Sequence, residues 1–345
     1  MLFRSAELFR RCNASFKLSV QFRNWSSDSN GRPVNFYHPF DRPAGIGALP
    51  PAYHYLAFGP HHPALSFVDC VIPNSALVNA RKGPRVLNAK NYDGAISYSY
   101  HLDAGLFANF MRDAAVLRGI RHIRDDVLDV TLGENGAVSA LQLKEAGHYP
   151  VEFVVDCTGY KSLIIDRLRT KPFVSFSDSI LNDKAIPVQI PHRDPKKIEP
   201  CTRATALGAG WVWRVPLFNR VGTGYVYSSA FRTDDEAKRE FFDHLRAIGD
   251  LPPDASDLDP PVIKMRVGYT RQSWIKNCLA IGLSGGFIEP LEATAIYAIE
   301  IAARTFIANF PDKNVNPNLA HRFNDIMRAL YEEIRDFVQL HYYTS

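Results

Sequence analysis

The chain has 345 residues, with 40 basic and 36 acidic side chains for a formal charge of +4, a size that suits one or two packed domains. Its basic residues are scattered rather than striped, so nucleic acid is not the expected partner. No apolar run approaches the roughly 18 residues of a membrane span, and five widely spaced cysteines, Cys12, Cys70, Cys157, Cys201 and Cys278, without a C-x-x-C pair suit a reducing compartment, so a soluble, cytoplasmic protein with no membrane partner is expected.

The opening MLFRSAELFRRC reads as a short basic surface helix. Residues 15–23, SFKLSVQFR, alternate strictly, with Phe16, Leu18, Val20 and Phe22 on one face and Lys17 among the polar residues of the other, which predicts a half-buried strand. Residues 25–63 are rich in proline, glycine, histidine and aromatics and read as a structured loop region over a pocket. Gly45-Ile46-Gly47 begins like a dinucleotide fingerprint, but the stretch ends in Pro50 and neither follows a strand nor opens a helix. His61-His62 lack a third ligand at useful spacing, and no metal is expected.

Asp103 predicts the N-cap of a helix over 104–118, with Leu106, Phe107, Phe110, Ala114 and Leu117 facing inward and Gly119 as its stop. A strand is expected near 127–132, and another over 151–156 that ends in a turn at Cys157-Thr158-Gly159. Helix followed by buried strand points to an α/β core. Residues 211–231 predict two strands about a turn at Asn219-Arg220, with Trp211 and Trp213 on one and Tyr225 and Tyr227 on the other. Thr233 and Glu236 form a capping box for a helix to about Ile248.

Residues 282–296, GLSGGFIEPLEATAI, predict a glycine turn opening a helix to about Phe310, halted by Pro311. Gly282, Gly285 and Gly286 would let a flat ring or phosphate approach the backbone. Glu289 and Glu292 read as first-turn acids that favour the macrodipole, with Pro290 in the same turn. A last amphipathic helix is expected from about Asn318 to Tyr343, turning Phe323, Ile326, Met327, Leu330, Ile334 and Phe337 inward.

Residues 210–216, GWVWRVP, resemble the W-x-W-x-I-P signature of the flavin-dependent tryptophan halogenase family, with Val215 in place of isoleucine. ASFKLSVQFRNW is similar to the family strand that carries an active-site lysine, here Lys17. VDCTGYKSLII, SWIKNCLAIGLSGGFIEPLEATAI and the segment following Ser97 also follow the family pattern, so the resemblance covers nearly the whole chain.

The resemblance implies an α/β (mixed α+β) fold of the FAD-dependent aromatic-hydroxylase type, with a substrate-side β-sheet and a helical C-terminal part. It implies a single partial domain over 1–345, with approximate parts at 1–100, 101–170, 171–270 and 271–345. The family's G-x-G-x-x-G turn would precede Met1 and a substrate segment would follow Ser345, so a chain incomplete at both ends is expected.

The implied activity is halogenation of an electron-rich aromatic, tryptophan or a related indole, in which FADH2 and O2 oxidise chloride or bromide to hypohalous acid. Lys17 would present the halogen, and Glu292 would polarise the oxidant or take the ring proton. Val127, Gly282, Gly285, Gly286 and Pro290 would line the FAD. The amides of Thr294 and Ala295 would lie near the halide. His38 and Phe40 would flank the substrate, while Trp211 and Trp213 pack by the tunnel. Ala293 and Ala295 stand where family members often carry serine and glycine, a change that leaves the backbone amides. A separate flavin reductase is the implied partner, and a homodimer is compatible with the resemblance. Two other readings stay open, a halogenase-like flavin monooxygenase and a shortened non-catalytic homologue that does not hold FAD alone.

Overall fold

The computed structural model describes residues 4–41, 49–62, 66–251, 258–313 and 316–344; Gly45-Ile46-Gly47 lies outside them. Its contacts gather into two units, one of Met1–His122 with Ala185–Ile263, the other of Ile123–Lys184 with Lys264–Ser345. The fold is mixed α/β with several sheets. No helix among the described residues is long and apolar enough to cross a membrane.

In the first unit the alternating segment at 15–23 does not make one strand. Leu18 donates its N–H to the Pro200 carbonyl (2.8 Å) and its carbonyl accepts from Asn74 (2.9 Å), so its backbone bonds leave the ladder. Ser15–Lys17 therefore pairs antiparallel with Ser99–His101, and Ser19–Ser27 enters a larger sheet. Nor is the segment half-buried. Ser19 and Gln21 are buried on the expected water face, because Ser19–Ser27 is an interior strand with neighbours on both sides.

That sheet has seven strands, six of which run in the spatial order Lys184–Ile190, Val221–Tyr227, Gly210–Pro216, Thr202–Leu207, Ser19–Ser27 and Pro33–Pro39. The Thr202–Leu207 and Ser19–Ser27 pair is parallel. The proline-rich stretch expected to be a loop thus supplies the strand Pro33–Pro39 and, beyond it, the helix Pro51–Phe58. Proline is tolerated there because Pro33 and Pro39 sit at the strand's two ends.

The hairpin Gly210–Pro216 with Val221–Tyr227 forms where expected, with register Trp213 to Gly224. On its flank the helix Asp234–Ala247 starts from a complete Thr233/Glu236 capping box and buries Phe241 and Leu245 against Ile186, Val212, Tyr225 and Tyr227. The helix Ala104–Val116 is capped by Asp103, whose carboxylate accepts from the Leu106 N–H at 3.0 Å. Leu117, expected inward, is 87% exposed; it is the C-cap, where the helical face has already ended.

The second unit holds three small sheets. Gly268–Thr270 pairs with Phe173–Ser175 and Gly286–Phe287. Cys278–Ala280 pairs antiparallel with Trp274–Ile275 and parallel with Val154–Asp156. Val127–Leu132 opens an antiparallel meander with Val138–Leu143 and Gly147–Pro150. The strand expected over 151–156 is confined to Val154–Asp156, since the Val151 N–H still bonds Ser139 of the meander. Trp274, wholly buried, is ringed edge-on by Phe153, Phe306 and Phe323. The final helix, Pro317–Tyr343, buries Phe323, Met327, Leu330 and Ile334 as expected, but Phe337 is 40% exposed and Tyr331 and Val338 take the inner face instead.

Candidate active site

In the first unit, cross-strand register decides which expected residues meet. Val20 faces His38 across one ladder, while Phe22 aligns with Phe36 on one side and with Ala204 on the other. Ala204 in turn faces Trp213. Cross-strand partners share a face and alternate residues return to it, so His38, Phe22, Phe36, Trp213 and Trp211 lie on one side of the sheet. Trp211 is buried and meets Trp213 edge-on at 6.4 Å and Trp25 at the same distance. Lys17 is half-buried, and its Nζ lies 5.5 Å from the centroid of Phe40, a ring that is 41% exposed. That separation falls within the range of a cation–π contact. Lys17 and Phe40, a residue expected to flank the substrate, thus lie next to each other.

Behind Lys17 stands a buried network that the sequence reading missed. Ser15 is paired across the ladder with His101, whose Nδ1 lies 3.1 Å from the Ser15 hydroxyl. The Ser15 hydroxyl donates to the Pro216 carbonyl, at the end of the tryptophan strand. With its proton committed there, Ser15 can only accept from His101, so Nδ1 carries the imidazole proton. His101 Nε2 then accepts from the Thr202 hydroxyl at 2.9 Å. The lysine strand is in this way bolted to the tryptophan strand through the Ser15 hydroxyl, and to Thr202 through a neutral histidine. The signal available in sequence was the alternation SYSYH running into the Asp103 cap.

Burial, with the nearby Lys17 charge in support, pushes the His101 pKa down to about 3 from an ordinary 6.5. Above pH 6.5 both folded and unfolded states hold it neutral. As the pH falls from 6.5 towards 3, the unfolded chain takes up a proton that the folded state refuses, and stability is lost by about 2 kcal/mol at pH 5. We expect His101→Gln to be less stable than the parent at pH 7 yet to lose about 2 kcal/mol less between pH 7 and 5. Denaturant titrations at the two pH values check this, and equal losses would remove His101 from the account.

The glycine stretch lies in the second unit, and it does not open a helix. Gly282–Ser284 is a 3-10 turn, Gly286–Phe287 a short strand, Leu291–Ala293 a second turn, and the helix itself is Thr294–Ala308. Gly282 has φ +72°, a conformation that glycine adopts freely. Gly286 is demanded by its own chain, since a Cβ there would come within 2.8 Å of both the Gly268 carbonyl and Tyr331. Gly285 is buried beside it, while Pro290 is exposed.

The two glutamates therefore depart from the first-turn reading. Glu289 is wholly buried, accepting from Tyr342 at 2.7 Å and from Asn182 at 3.3 Å, so it anchors the end of the last helix. Glu292 precedes the helix Thr294–Ala308 and has φ 59°, followed by Ala293 at φ 58°. Two successive left-handed residues other than glycine hold about 1–2 kcal/mol of strain each, a feature that clusters at functional positions. The Glu292 side chain is only 10% exposed and lies 4.0 Å from His341, another residue the sequence reading missed.

The helix Thr294–Ala308 has Ala293 at its N-cap and no side-chain cap. Its first N–H groups, Thr294 and Ala295 among them, have no intrahelical acceptor and favour an anion. The Thr294 hydroxyl turns back to the Glu289 and Leu291 carbonyls, leaving backbone donors as the polar surface. Val127 begins the separate meander. No group of three or more His, Cys, Asp or Glu side chains among the described residues could hold a metal ion.

Asp156, expected only to end a strand, supports the glycine stretch. Its wholly buried carboxylate accepts from Thr158 N–H (2.9 Å) and hydroxyl (2.7 Å), from Ile164 N–H (3.0 Å), from Ile165 N–H (2.8 Å) and from the Ser284 hydroxyl (3.2 Å).

Known proteins resemble this chain over nearly all of its length. Tryptophan 7-halogenase RebH of Lentzea aerocolonigenes is 35% identical over 351 residues, covering 98% of this chain and 64% of its own. The solved tryptophan 6-halogenase SttH of Streptomyces toxytricini has a TM-score of 0.87 at 36% identity, covering 97% of this chain and 66% of its own. A tryptophan halogenase of Shewanella frigidimarina has a TM-score of 0.89 at 32% identity, covering 99% and 64%. The chain thus spans just under two thirds of the length of these relatives. Residues 3–345 match the tryptophan halogenase family as a whole, and the chain belongs to that family.

Proposed function

We propose that this chain carries out FADH2-dependent halogenation of an electron-rich aromatic ring, tryptophan or a related indole. The observation that carries the reading is the half-buried Lys17 ammonium over the exposed Phe40 ring, in a family member whose lysine strand is tied to its tryptophan strand. Lys17 would hold the oxidised halogen through its Nζ while the substrate ring lies along Phe40 and His38. Trp211 and Trp213, filling the same sheet face with apolar surface, would keep water from that path. Glu292 would receive the proton released when the ring carbon exchanges hydrogen for halogen.

Bound reduced FAD, with O2, would supply the two-electron oxidation of halide to hypohalous acid. The backbone of residues 282–286, glycine at three of five positions, suits the edge of a flat ring, and the uncapped helix start suits a halide. We assign Gly282, Gly285, Gly286 and Pro290 to the ring, with Val127 as a further cofactor contact, and the amides of Thr294 and Ala295 to the halide. The chain would act as one functional domain in the cytoplasm, as monomer or homodimer, with a separate flavin reductase supplying FADH2.

The test is to supply the purified chain with FADH2, O2 and indole, with and without bromide. Bromoindole that forms only when bromide is present is the expected result. A hydroxylated product independent of halide would favour a monooxygenase instead. Failure to retain FAD on gel filtration, with no product, would leave this chain without the activity.

A further inference from the structure

The sheet of the first unit has a second face, opposite Trp213, and it is lined by arginines. Register puts Arg23 beside Asn35 and Thr205, and Arg203 beside Arg214, which in turn faces Thr223. The helix Asp234–Ala247 brings His244 over them. Together these groups line a cavity of about 260 Å³ in which no carboxylate takes part among the described residues.

The charges around this cavity do not balance. Arg214 bonds Asp250 at 2.6 Å and Glu199 at 3.1 Å. Glu199 is also the ion-pair partner of Arg203 and lies 3.9 Å from Arg81. Arg23 has only a neutral partner among the described residues, its Nε donating to Gln21 at 2.8 Å. Three guanidinium groups, those of Arg81, Arg203 and Arg214, thus share two carboxylates, Arg23 pairs with neither among the described residues, and both carboxylates line the neighbouring cavity rather than this one.

Arg203 bears the consequence. Its Nε is buried and has no hydrogen-bond partner, although a buried donor without an acceptor is costly. Burial, opposed by Glu199 and reinforced by the charges of Arg23 and Arg214, pulls its pKa below the ordinary arginine value. His244 is held below its usual pKa by burial, so near neutral pH it adds a hydrogen-bonding ring rather than another charge. A concave cluster of fixed cations whose cavity wall carries no carboxylate, with an unspent N–H, is completed by an anion that accepts several N–H bonds at once.

We propose that this cavity binds a compact oxyanion, a phosphate or small carboxylate group, held by Arg23, Arg203 and Arg214 on the sheet face opposite the candidate substrate residues. A cavity of about 260 Å³ admits such a group with a few waters. The ligand is either a free ion or the anionic end of a molecule whose remainder lies outside. The site stands independently of the halogenation reading, because none of its residues belongs to the Lys17 or Glu292 surroundings.

The experiment is calorimetric titration of the full chain with inorganic phosphate and, separately, with malonate, at ionic strength held constant with chloride. One saturable site is expected for at least one of the two, and which of them binds separates tetrahedral from carboxylate recognition. Arg23→Met should weaken it at least about tenfold, since hydrogen bonds to charged groups are of that worth. Asn35→Asp, at an exposed rim position, should weaken it as well without removing any packing, whereas Lys17→Ala should leave it unchanged. The absence of saturable binding by either anion, or affinities in both pocket variants equal to the parent's, would overturn the proposal.

Discussion

Lys17→Ala is expected to slow bromination of indole by at least about 100-fold, the scale on which a positioned functional side chain contributes to catalysis. The change removes the ammonium and its stem but not the strand. Ser15–Lys17 keeps its pairing with Ser99–His101, and the Ser15, His101 and Pro216 contacts do not involve the lysine side chain. Stability should therefore shift by no more than about 1 kcal/mol, and a steady-state rate measured beside a thermal melt separates loss of chemistry from loss of fold. Lys17→Arg should not restore the rate, because a planar guanidinium keeps the charge and lacks the compact amine. If the alanine variant brominated as fast as the parent, the lysine would have no part in the reaction.

Asp156→Ala is expected to destabilise the second unit by about 3–5 kcal/mol, a large fraction of the 5–15 kcal/mol typical of a folded protein. Truncation would orphan the amides of Ile164 and Ile165, both belonging to buried residues, and would release Thr158 and Ser284. Each buried donor left unsatisfied costs about 1–3 kcal/mol, and neighbouring losses do not simply add. Asp156→Asn should fall between, since one oxygen still accepts while the new amide turns a donor towards donors. Urea titration of the three proteins measures the series, and an alanine variant within about 1 kcal/mol of the parent would show that water replaces the carboxylate without loss.

The contrast between Asp103 and Asp156 shows where sequence reading succeeds. Asp103 is legible as a cap because its partner, the Leu106 amide, is three residues away, and the spacing is itself the signal. The capping box of Thr233 and Glu236 and the hairpin that carries Trp211 and Trp213 are legible for the same reason. Asp156 reaches Ser284 across 128 residues, and no local pattern encodes that meeting. The same holds for His101, whose partners Ser15 and Thr202 come from strands far apart in the chain.

Backbone conformation was the other blind spot. Glycine, proline and acidic residues before an apolar run normally announce a helix start, yet Gly286–Phe287 is drawn into a ladder with Gly268–Thr270, and Glu292 with Ala293 turns left-handed. That strain is held by the packing around it, including Glu289 locked to Tyr342 and Asn182, and composition carries no trace of it.

By itself, then, the sequence determined many of the helices and strands but not those within 25–63 or 282–293, the principal caps, the hairpin and, through resemblance, the family and the identity of Lys17 and Glu292 as residues of interest. These are properties of short windows, in which period and spacing act directly on the backbone. Tertiary structure alone decided that Leu18 breaks the first strand, that Glu289 is an anchor while Glu292 is the strained carboxylate beside His341, and that Arg23, Arg203 and Arg214 converge on one face. Each of those outcomes depends on which distant group supplies the missing hydrogen bond or charge, and a linear chain does not state that until it has folded.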